Sequence, residues 1–204
     1  MHFKHWLPAA ALALVIAAPV LTPVIAADSP PPFVTRGLPA EGHKAMAPLA
    51  GVWKVSMTVY AAMGTPEKPV TSTDLVTRRE WIAGGRFLRD VTEGTIGGAP
   101  YWRMGTLGYS NIDGRYEWVT QDALNANMMI YRGAAKAGPQ FPASLSGTFT
   151  DQGILGERYA GKTIRQRTVI KIDGPDHHTI DLYFTPPGGT ERLVDHKDYT
   201  RVPG

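Results

Sequence analysis

The sequence is 204 residues long, enough for one domain with a sizeable core and tight for two. It has no cysteine, which excludes disulfides, thiolate nucleophiles, iron–sulfur ligation and cysteine-bound zinc. Its 21 basic and 18 acidic residues leave a formal charge of +3 with no long block of one sign, so the chain carries no electrostatic footprint for nucleic acid.

In chain order, Lys4 precedes an apolar run over residues 7–20, and Val24-Ile25-Ala26 puts compact residues at the −3 and −1 positions of a signal-peptidase site. The run is short of the ~20 apolar residues of a membrane span and is broken by Pro8, Pro19 and Pro23. Residues 1–26 are therefore expected to be a signal peptide, with signal peptidase as a partner during export, no span after cleavage and a periplasmic or secreted product. Residues 27–40 contain Pro30-Pro31-Pro32 without a hydrophobic period, which predicts a stiff exposed leader of polyproline II type. In residues 41–50, Ala45, Met46 and Leu49 fit one face of a short helix that Pro48 keeps brief.

After Gly51 the period becomes two: Trp53, Val55, Met57 and Val59 alternate with Lys54, Ser56, Thr58 and Tyr60, as in a half-buried strand. The same texture recurs at 71–82, 86–95, 101–109, 115–122, 127–132, 144–150, 162–172, 177–185 and 190–202, with turns rich in glycine and proline between them. The reading is all-β: residues 41–204 as a single antiparallel up-and-down barrel of about ten strands with a short N-terminal helix. Closure removes exposed strand edges, while a two-sheet sandwich would show the same period.

Gly51-Val52-Trp53, after a short helix, resembles the Gly-x-Trp opening of the calycin barrels, the lipocalins and their relatives. There the tryptophan plugs one end of the cavity and a basic residue of the last strand packs across it, a role the resemblance implies for Arg201. Trp81-Ile82-Ala83-Gly84-Gly85-Arg86-Phe87-Leu88, Gly105-Thr106-Leu107-Gly108-Tyr109 and the closing Tyr199-Thr200-Arg201 resemble a widespread bacterial family of exported, calycin-like domains of unknown function. The resemblance extends over residues 41–202 and implies no activity. The chain departs from that pattern at Ser110 and His196, where acidic residues are frequent.

The residues offer little covalent chemistry. No glycine-rich phosphate loop opens a helix, and Ser110 lacks the nucleophile elbow. Beyond the signal region a metal would have to draw on His43, His177, His178 and His196; the adjacent pair 177 and 178 points to opposite faces of a strand, so no metal and no cofactor are expected. Glu80, Asp90 and Glu93 are expected to form a solvated ion-pair ladder with Arg78, Arg79 and Arg89 across the Gly84-Gly85 hairpin.

His178 shares a strand face with Ile180, Leu182 and Phe184, which turns it inward and requires a partner, drawn from His196, Arg165 or Asp181. Together with Trp102, the candidate ligand contacts Trp81, Arg86, Tyr109, Trp118, Arg165, His178 and Tyr183 would give the interior aromatic walls and a few directed polar groups. The function expected is binding of a small hydrophobic or amphipathic molecule inside the barrel. One alternative is a cofactor-free lyase, isomerase or hydrolase with His178 or His196 as base and Arg165 stabilising negative charge. Another is a non-catalytic interaction module with a filled barrel and an apolar patch outside.

Overall fold

A computed structural model describes residues 29–203; the expected signal peptide at 1–26 lies outside the described residues. Alternating apolar residues build ten strands: β1 (Gly51–Val59), β2 (Val70–Ile82), β3 (Phe87–Ile96), β4 (Ala99–Ser110), β5 (Arg115–Asp122), β6 (Met129–Gly133), β7 (Ala143–Thr150), β8 (Thr163–Ile172), β9 (His177–Thr185) and β10 (Arg192–Arg201). Each pairs antiparallel with its neighbours in sequence, and β10 returns to β1, setting Trp53 opposite Arg201 and Val59 opposite Asp195. The barrel is therefore closed and has no free edge among its strands. Gly84 and Gly85, at φ +66° and +83°, make the β2–β3 turn in a conformation that favours glycine.

One end is plugged. Helix α2 (Glu41–Met46) and the 3₁₀ turn Ala47–Leu49 that follows it bury Met46 and Leu49 over the barrel, and the Tyr109 ring lies so close to Gly42 that no β-carbon would fit there. The leader departs from the polyproline expectation, because Pro32–Arg36 forms a helical turn, α1. Proline suits the first helical position, where its missing N–H is not needed. Barrel side chains then take the carbonyls that follow: Asn111 Nδ2 donates to Arg36 O and Leu38 O at 2.9 and 2.8 Å, and Arg86 Nε to Gly37 O at 2.8 Å.

The other end is ringed by the β1–β2, β5–β6 and β7–β8 loops. The last is fixed by Asp151, fully buried, whose carboxylate accepts the backbone N–H groups of Gly153, Ile154 and Leu155 at 3.1, 2.7 and 3.1 Å.

Candidate functional site

The barrel interior has three levels. At the plugged end, Trp53 Nε1 donates to Leu49 O at 3.0 Å, and the Arg201 guanidinium lies 4.1 Å over the Trp53 ring while donating to Ala50 O and Pro48 O. His178, 1% exposed, stands edge-on to Trp53 and stacks on Tyr199 with ring centroids 4.3 Å apart. Arg79 Nη1 donates to His178 Nε2 at 2.5 Å. A guanidinium cannot accept, so Nε2 supplies the lone pair and the imidazole proton sits on Nδ1. Burial, and then the Arg79 charge, push the His178 pKa down to about 2, which keeps the ring neutral.

The middle level holds two buried ion pairs, Arg103 Nη1 with Asp90 Oδ1 at 3.1 Å and Lys197 with Asp195. Arg103 also lies 4.6 Å over the Trp118 ring. Burial works against the Arg103 charge, but Asp90 beside it helps hold its pKa above the ordinary value. A chamber of about 40 Å³ separates Arg103, Lys197, Trp118, Thr120 and Thr168.

At the open end a cavity of about 280 Å³ is walled by Met57, Val59, Ile96, Met129, Phe184 and Val194, with Ile154 of the β7–β8 loop at its rim. Tyr101, Leu182, Asp122 and Asp195 line both this cavity and the chamber beneath, so the two are contiguous.

Of the residues expected here, Trp118 and His178 face inward, His178 in the sealed end rather than in the cavity. Trp81 is half-buried against the core. The rest lie elsewhere. Arg165 is exposed on the outer face of β8; Tyr183 is on the outer face of β9, beneath Arg167 at 4.2 Å; Trp102 is 40% exposed. Parity explains these corrections, since β8 and β9 turn residues 164–170 and 178–184 inward at even positions only. His196 also points out, its Nδ1 2.6 Å from Asp181 Oδ1, because the irregularity at Leu193/Asp195 shifts β10 to odd inward positions. His196 and Arg165 therefore cannot partner His178.

Arg86 and Tyr109 line an outer groove of about 410 Å³ with Phe87 and Ile112 beside the leader; Arg86 clamps Gly37 and Ala83 carbonyls, and Tyr109 packs on His43 and Tyr116. The exposed ladder forms through Glu80–Arg89 and Arg78–Glu93, but Arg79 and Asp90 leave it for the interior. Arg79, Tyr101, Asp90, Arg103, Asp122, Asp195 and Lys197 are thus among the interior polar residues that the sequence did not reveal. Their signal was position: Arg79 has the parity of Leu75 and Thr77, and Asp90 that of Leu88 and Thr92. Among the described residues no three histidines, aspartates or glutamates converge as a metal site would need, and no helix is long and apolar enough to cross a membrane.

Fold and interior define a closed ten-stranded antiparallel barrel, plugged at one end and hollow at the other. The chain belongs to the family described as "Protein of unknown function (DUF1579)", whose sequence model matches residues 38–201. No curated protein matches it. Similar solved structures include EF1p2_mFAP2b bound to DFHBI (13% identity, 78% of this chain and 98% of that chain, TM-score 0.41). The redesigned beta barrel b11L5F_LGL (14%, 78% and 96%, 0.38) and a de novo designed fluorescence-activating beta barrel (9%, 80% and 100%, 0.39) are also similar. At these scores the likeness says nothing about what this chain binds.

Proposed function

We propose that this protein is an exported carrier or sensor that takes a small, partly apolar molecule into the open end of its barrel. The observation that supports it is the cavity of about 280 Å³, close to the lower end of the roughly 300–1,000 Å³ range of ligand pockets, with aliphatic, thioether and aromatic walls above a polar floor. Affinity would come from apolar burial at roughly 25 cal/mol per Å². Orientation would come from the polar groups at the floor. The enzyme reading finds less support, since His178 is sealed behind Trp53 and held neutral, and His196 lies outside.

Ala61, half-buried at the rim, lines the cavity, and replacing it with tryptophan fills that space. The expected result is that the mature protein enhances the fluorescence of anilinonaphthalene sulfonate or Nile red at micromolar concentration, and that Ala61→Trp, folded by circular dichroism, loses the enhancement. Equal enhancement in a folded Ala61→Trp variant, or none in the parent with either dye, refutes the cavity reading. Export is tested separately: a cell expressing the full sequence should yield a product starting after Ala26, and an intact cytoplasmic chain overturns that part.

A further inference from the structure

The charges around the interior are not evenly placed. Arg103 and Lys197 line the inner chamber but not the open cavity, whereas Asp122 and Asp195 line both. Among the described residues, the wall of the open cavity is largely apolar, with Tyr101 and Asn125 as polar groups and the carboxylates Asp122 and Asp195 as its charged ones. Asp195 is occupied by Lys197. Asp122 Oδ1 accepts Leu124 N and Asn125 Nδ2 at 2.8 and 3.2 Å, and its Oδ2 has no hydrogen-bond partner among the described residues.

Tyr101 supplies an independent observation. Its side chain is 6% exposed, lines both spaces and makes no hydrogen bond to another described residue. Its hydroxyl opens onto the cavity and finds no partner among the described residues, so its hydrogen bond is left to whatever occupies that space. The rings of Tyr101 and Phe184 and the thioethers of Met57 and Met129 in the wall also suit a soft, positively charged group better than an anion.

We infer that the ligand is a small amphipathic amine, its ammonium held between Asp122 and the Tyr101 hydroxyl and its apolar body against Met57, Met129 and Phe184. This rests on the cavity reading above. A carboxylic acid of the same shape would bring a like charge beside Asp122 and Asp195, with Arg103 and Lys197 already committed to Asp90 and Asp195.

The test is calorimetric titration with three matched probes: 4-phenylbutylamine, 4-phenylbutan-1-ol and 4-phenylbutanoate. The amine is expected to bind about tenfold tighter than the alcohol, and the acid more weakly than either. Asp122→Asn keeps the Oδ1 acceptor of the turn, so alcohol affinity should hold while the amine advantage disappears. On the unaltered protein, raising salt from 50 to 500 mM should weaken the amine and leave the alcohol unchanged. Equal amine and alcohol affinities, a preference for the acid, or an amine advantage that survives Asp122→Asn overturns the inference while leaving the cavity reading intact. Binding by none of the three overturns both.

Discussion

Replacing Asp90 with asparagine tests the interior charge arrangement most directly. Asp90 and Arg103 have side chains 4% and 7% exposed, so water screens their pair little, and the change keeps size while removing charge. Deleting one partner of such a pair costs about 3–5 kcal/mol. The geometry points to the upper part of that range. Arg79 lies directly opposite Asp90 in the β2–β3 register, and its Nη2 has no partner, so Asp90→Asn leaves two buried guanidiniums with only an imidazole nitrogen and an amide to face. Arg103→Met should cost less, because Asp90 would still face Arg79 and the thioether would still contact Trp118. The double variant should be more stable than Asp90→Asn alone. Equilibrium urea unfolding, followed by tryptophan fluorescence at unchanged m, measures each difference; for a domain of this size a loss of 3–5 kcal/mol lowers Tm by about 6–20 °C. A cost below about 1 kcal/mol for Asp90→Asn, or strictly additive effects in the double variant, would refute the reasoning.

Two further outcomes follow from the closed end and the rim. His178 is neutral when folded but takes a proton near pH 6.5 when unfolded, so its contribution is full above that pH and falls by about 1.4 kcal/mol per pH unit below it. His43, lowered first by burial and then by Arg86, acts in the same direction; His177, raised chiefly by Asp198, opposes it weakly from an exposed position. Urea midpoints should therefore drop between pH 7 and 5, with a flatter profile in His178→Asn; parallel profiles would show that the imidazole is not the cause. Asp151→Ala removes the acceptor of three backbone N–H groups that hold Ile154 at the cavity rim, and should speed dissociation of a bound dye about tenfold in stopped-flow, against no change if the loop does not gate entry.

Much of the fold could be read directly, because period-two alternation is strong in β1, β8 and β9 and glycine marks the turns between strands. The Trp53–Arg201 contact was legible from the resemblance and is present at 4.1 Å. The site was less legible for two physical reasons. Facing is decided by single-residue register, and β10 offers few apolar residues to fix it before the irregularity at Leu193/Asp195 changes its parity. Charged residues also read as surface by default, yet Arg79, Asp90, Arg103 and Lys197 are inside because they compensate one another or stack on aromatic rings, which needs three-dimensional neighbours to see. The helical turn of the proline-rich leader is not legible in its own residues because Asn111 and Arg86, more than forty residues away, take the carbonyls that follow it.

Closure through β10 has a consequence for how the chain is made. The seam joins residue 53 to residue 201, and the strand completing it is the last of the ten to be synthesised. Until it arrives, β1 and β9 are open edges, and Trp53 lacks both the cation above it and the Arg201 clamp on the preceding turn. Such a nascent sheet is a template for pairing with other chains.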